Sequence, residues 1–194
     1  MASDEISRRA VIVSAALVPV VALAQTATPS ALSDAQLRLV AAFVDRLIPK
    51  DELGPSASES GVPVYINRAL GDYLAGEKTA FVEGLEATDA LARRTQNAAF
   101  ADLTAAQQDA LLTSMDNGSA EGFPTARAFF SRARRLALEG MFGDPYYGGN
   151  KNFAGWDLIK YPGPRLATSA DDQKMGVEIK PYHHSAYGSA DHGH

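Results

Sequence analysis

Between residues 33 and 141 the apolar residues of this chain recur at intervals of three and four, stretch after stretch, and nowhere alternate over a useful length. That spacing lines one face of an α-helix and does not suit a strand. Leu37, Val40, Ala41, Val44, Leu47 and Ile48 form the first stripe, opened by Ser33-Asp34-Ala35-Gln36, which has the spacing of a capping box, and closed by Pro49. A polar loop over 49–61, with Asp51, Glu52, Gly54 and Pro55, leads to a second helix with Pro63 in its first turn and Val62, Ile66, Ala69, Leu70 and Tyr73 on one side. A third helix is expected from about residue 77 to 94, with Phe81, Leu85, Thr88 and Leu91 inward. Thr104 and Gln107 repeat the capping-box spacing before a short fourth helix carrying Leu111, Leu112 and Met115. After the Asn117-Gly118 turn, Pro124 starts a fifth, with Phe129, Phe130, Ala133, Leu136 and Ala137 inward. The expected architecture is all-α: a compact bundle of about five helices over 33–165, ending in an extended Gly/Pro/aromatic-rich segment. The stripes are its core, and none of them is assigned to a ligand.

The chain has 194 residues and no Cys, and a body of this length buries roughly 70% of the surface its unfolded form exposes, enough to need no staple. A formal net charge of −5 argues against a general electrostatic grip on nucleic acid or anionic lipid, which takes clustered cations. The basic pairs Arg93-Arg94 and Arg134-Arg135 are isolated and read as solvated helix surface. Lack of Cys removes thiolate nucleophiles, iron–sulfur ligation and disulfides together.

Residues 1–24 read as an export signal: a polar start with Ser7-Arg8-Arg9, an apolar stretch over 10–23, and small residues at Ala22 and Ala24 before a cut preceding Gln25. The apolar stretch is interrupted by Ser14 and Pro19 and is too short for a transmembrane helix, which takes about 20 apolar residues. The arginine pair resembles the twin-arginine signal, although Val11 stands where Phe is preferred; general secretion is the rival route. Export in the folded state usually serves a cofactor inserted beforehand. This chain shows no cofactor site, so the cofactor is expected in a partner that travels with it. A linker over 25–32 follows the signal.

From 138 to 165 the helical period disappears, and six Gly, three Pro and six of the 16 aromatic residues crowd together, among them Trp156. Such a segment is costly to order without contacts. Phe142, Tyr146, Tyr147, Phe153, Trp156 and Tyr161 supply them either by lying on another protein or by folding back over the helices; the partner surface is the reading put first. Its members are Phe142, Asp144, Tyr146, Tyr147, Asn150, Trp156 and Tyr161.

Three stretches carry a resemblance: Ile48-Pro49-Lys50-Asp51-Glu52-Leu53-Gly54-Pro55-Ser56-Ala57; Gly61-Val62-Pro63-Val64-Tyr65-Ile66; and Glu139-Gly140-Met141-Phe142-Gly143-Asp144-Pro145, continued by Gly148-Gly149-Asn150, Gly155-Trp156 and Tyr161-Pro162-Gly163-Pro164. In these the chain resembles the gluconate 2-dehydrogenase subunit 3 family, the small subunit of membrane-associated, flavin-dependent sugar and polyol dehydrogenases. The resemblance implies a periplasmic complex in which a large FAD-dependent, GMC-type subunit oxidises the sugar, with a multihaem cytochrome c (haem c in a third subunit) as acceptor. The small subunit would carry no cofactor, would lend its export signal to the catalytic partner, and would support that partner's folding and stability.

Against a catalytic role of its own, all 4 His (His183, His184, His192 and His194) lie in the last 12 residues, so the helical body holds neither His nor Cys. Most acid–base and nucleophilic sites are thereby excluded. A carboxylate pair, Glu139 with Asp144 or Asp157, is the remaining catalytic arrangement. The polar tail over 166–194 has metal-ligand residues at close spacing, and a free metal-binding protein is the alternative; its Ser, Gly and Ala content suggests flexibility instead.

Overall fold

The computed structural model describes residues 30–165 and 167–188. Among the described residues six α-helices run in order: α1 (Asp34–Leu47), α2 (Val62–Gly71), α3 (Lys78–Gln96), α4 (Ala105–Asp116), α5 (Ala126–Phe142) and the short α6 (Ala154–Leu158). Single 3-10 turns stand before α3, before α4 and twice between α5 and α6. No strand occurs among the described residues, so the all-α reading holds. None of the described helices is long and apolar enough to cross a membrane.

The two capping boxes form as their spacing requires. Ser33 Oγ accepts from the Gln36 amide at 3.3 Å while Gln36 Oε1 accepts from the Ser33 amide at 2.9 Å, and Thr104 and Gln107 repeat the exchange. Each satisfies amides that a helix start otherwise leaves without partners. The interior is built around Phe43, whose ring lies 6.0–6.1 Å from Phe100, Phe129 and Phe130, with Phe81 at 5.4 Å from Phe129. Helix α1 touches α2, α3, α4 and α5, and α5 lies against every other long helix.

Several boundaries differ from the sequence reading. In α1 the buried positions are Leu39, Val40, Phe43 and Val44. Leu37, Leu47 and Ile48 of the expected stripe are half-buried and pack against the same core, and the bulk of Leu39 and Phe43 turns the inward face towards their side of the helix. Tyr73 does not share the inner side of α2: the helix stops at Gly71, Tyr73 is exposed, and Tyr65 takes the buried place. Pro124 stands in the turn before α5 and not in it. At its other end α5 continues to Phe142, with Gly140 and Met141 buried, because Gly140 faces the Tyr65 ring where a Cβ would meet it at 2.8 Å. An inward Gly hides the helical period from the sequence. Just before α1, Ala31 and Leu32 are buried, and the Leu32 amide donates to Asn67 Oδ1 at 2.9 Å.

Candidate functional site

Helix α5 ends in carbonyls that need donors, and the segment after it supplies them. Asn150 is fully buried; its Nδ2 donates to the Gly143 carbonyl at 2.8 Å and its Oδ1 accepts from the Gly155 amide at 2.8 Å. Trp156, 5% exposed, sends Nε1 to the Phe142 carbonyl at 3.0 Å. The approach is close enough to exclude side chains. A Cβ on Gly149 would lie 2.0 Å from the Gly140 carbonyl oxygen, and one on Gly155 would lie 1.8 Å from that of Met141. The Lys151 amide then ties the segment to the Ser60 carbonyl at 2.9 Å. The Gly-rich composition is thus the mark of backbone laid against backbone.

This knot divides the seven residues proposed as a partner surface. Asn150 and Trp156 are buried and hydrogen-bonded to their own chain, Asn150 wholly interior and Trp156 reaching only the wall of a pocket it shares with Phe142 and Tyr161. Phe142 is half-buried, with its carbonyl under Trp156. Asp144 Oδ1 caps the next turn by accepting from the Tyr146 amide at 2.9 Å. Tyr146 and Tyr147 stand outward on that turn, 50% and 41% exposed, their rings edge to face at 5.3 Å. Tyr161 is exposed against Trp156, with ring centroids 4.9 Å apart. The face that remains available is therefore Tyr146, Tyr147 and Tyr161 with the edges of Phe142 and Asp144.

Beside it runs a groove of about 740 Å³ between α2 and the tyrosine turn, floored by Tyr65 and flanked by Val64, Arg68, Tyr73 and Lys151. Sequence reasoning missed it, since its walls lie about 80 residues apart in the chain. Tyr65 Oη lies 2.6 Å from Tyr73 Oη and donates to Glu139 Oε2 at 2.9 Å. Burial, and then these two hydrogen bonds, hold the Tyr65 hydroxyl far above its usual pKa, so it stays neutral. Glu139 also meets Arg135 at 3.6 Å, Asp144 caps a turn, and Asp157 Oδ1 lies 2.7 Å from His183 Nε2. Each carboxylate of the proposed catalytic pair thus has a structural partner.

Over residues 182–187 the tail lies against the body. The Tyr182 amide donates to the Pro162 carbonyl at 3.0 Å, the His183 ring stacks on Phe153 at 4.8 Å, and the Ala186 amide donates to Asp144 Oδ2 at 2.8 Å. Tyr187 packs on Tyr146 and Tyr147 at 5.2 and 5.6 Å. His184 stacks on Tyr182 at 4.4 Å. Among the described residues no three His, Cys, Asp or Glu side chains come together to hold a metal ion. The export-signal residues Ser7, Arg8, Arg9, Ala22 and Ala24, and His192 and His194, lie outside the described residues.

Compared with known proteins, the chain matches one family model, described as gluconate 2-dehydrogenase subunit 3, over residues 34–163. That match takes in both the helical body and the aromatic knot. No curated protein and no solved structure matches it.

Proposed function

The chain belongs to the gluconate 2-dehydrogenase subunit 3 family, and from that membership we propose that it is the non-catalytic small subunit of a periplasmic, FAD-dependent sugar or polyol dehydrogenase. It docks on the large FAD-dependent subunit, lends that subunit its twin-arginine signal, and supports its folding and stability. FAD resides in the large subunit, and a third, multihaem c-type subunit takes the electrons. The observation that carries the reading is the family match across residues 34–163, which ends where the aromatic knot ends.

The docking face is assigned to Tyr146, Tyr147 and Tyr161 with Phe142 and Asp144. Tyrosines are favoured interface anchors because a large, rigid ring is immobilised at small entropic cost while its hydroxyl still finds a partner. Here the rings are held by a buried scaffold, so little ordering is left for the moment of binding. In the proposed mechanism the small subunit presents this preformed face to the flavoprotein before export, and the pair crosses the membrane together.

An affinity pull-down of the chain from its native membranes, read by mass spectrometry and a flavin absorbance spectrum, tests the reading. Recovery of a large flavin-containing dehydrogenase supports it. Recovery of the chain alone would sink it. Co-expression gives the export arm: the flavoprotein should reach the periplasm with the wild-type chain and stay in the cytoplasm with an Arg8→Lys/Arg9→Lys variant.

A further inference from the structure

The residues assigned to docking are already touched by the chain's own C-terminal segment. Residues 182–188 return across the knot and contact it at both ends. At one end the Tyr182 amide holds the Pro162 carbonyl, and His183 stacks on Phe153 with Nε2 2.7 Å from Asp157 Oδ1. At the other, the Ala186 amide takes Asp144 Oδ2, and Tyr187 completes a cluster with Tyr146 and Tyr147. Between them the segment helps close a pocket formed with Phe142, Trp156, Tyr161 and Pro164.

The attachment is shallow. Of residues 182–188 only Ser185 is buried, and the stretch over 167–181 that leads to it is almost wholly exposed. Few buried contacts and solvent-facing hydrogen bonds place a segment at the low end of the stability range, where it opens without unfolding the rest. The segment also follows the family-matched region, which ends at residue 163.

We propose that residues 182–188 are a displaceable strap over the docking face: they occupy it in the free chain and give way to the large flavoprotein subunit. The inference rests on the docking reading above. While closed, the strap covers one side of the Tyr146 and Tyr147 rings, which stay about half exposed, and narrows the pocket beside Trp156. Its cost is paid as reduced apparent affinity, because only the open fraction of molecules binds.

The test uses the full chain with substitutions confined to the strap: Ala186→Pro/Tyr187→Ala, which removes the amide donor and the third ring, and separately His183→Ala. In the free wild-type chain, hydrogen exchange should show protection at the Tyr182 and Ala186 amides, weaker than in α1 or α5, and the double variant, which has no amide hydrogen at position 186, should lose the protection at Tyr182. Binding is then measured to the flavoprotein recovered in the pull-down. The double variant should bind about tenfold more tightly, as expected for a strap closed in about nine molecules out of ten. His183→Ala should shift affinity in the same direction. An unprotected wild-type strap, or strap variants that bind equally or more weakly than a binding wild type, overturns the strap alone. If the wild-type chain binds no flavoprotein, the docking reading fails and the strap's role falls with it.

Discussion

At the scale of single residues, the aromatic segment separates into side chains that hold it and side chains that it displays. Trp156 belongs to the first kind, filling space beneath the segment and donating to a helix-terminal carbonyl. Trp156→Ala leaves both a cavity and an unpaired carbonyl, and should lower unfolding free energy by about 3–5 kcal/mol in urea titrations. The loss should appear in stability first, and in binding only as its consequence. Tyr65 offers a second case. Its hydroxyl is held neutral in the folded state, so its contribution is fully present below the ordinary tyrosine pKa of about 10 and is lost as pH rises beyond it, where the unfolded state ionises and the folded state does not. Tyr65→Phe should cost about 1 kcal/mol at neutral pH through its lost hydrogen bonds, and should flatten the alkaline limb of a stability–pH curve.

At the scale of elements, what the sequence revealed follows from how local each signal is. Both capping boxes, the order of the five long helices and most of their inward residues were legible, because each depends on neighbours within a turn or two. The inner face of α1 was legible in part: Val40 and Val44 are buried and Leu37, Leu47 and Ile48 pack on the core, whereas the burial of Leu39 and Phe43 is set by the helices they meet. The last turn of α5 was hidden by Gly140, whose inward place is set by Tyr65 on another helix. In the candidate site the outward Tyr146 and Tyr147 were legible, whereas the burial of Asn150 and Trp156 depends on the α5 carbonyls they meet. The α1–α4 contact carries a testable pair: Arg46 grips Asp109 with two bonds, at 2.7 and 2.8 Å. The Arg46 hydrogen bond holds the Asp109 carboxyl below its usual pKa, so its contribution is present above the unfolded value near 4 and fades as pH falls through the folded one. Asp109→Asn should therefore destabilise by no more than about 1 kcal/mol at pH 7, and thermal melts of the two proteins should converge in acid.

At the scale of the whole molecule, the knot lets stability and recognition be altered independently, because the displayed tyrosines carry little of the core while the scaffold beneath carries little of the exposed face. Tyr146→Ala/Tyr147→Ala should leave the far-ultraviolet circular dichroism and the urea midpoint close to wild type. Its effect on affinity is a contest of two terms. Loss of two aromatic anchors weakens docking by about 2 kcal/mol or more. Loss of the same rings also frees Tyr187 and loosens the strap, which on a tenfold closed-to-open bias returns at most about 1.4 kcal/mol. The first term wins, so calorimetry should record weaker binding to the flavoprotein. Combined with the Ala186→Pro/Tyr187→Ala variant, the tyrosine pair should cost more relative to that open background than it does in the wild-type chain. The size of that difference measures the strap's share, and strictly additive effects would mean that the two segments do not compete for one face.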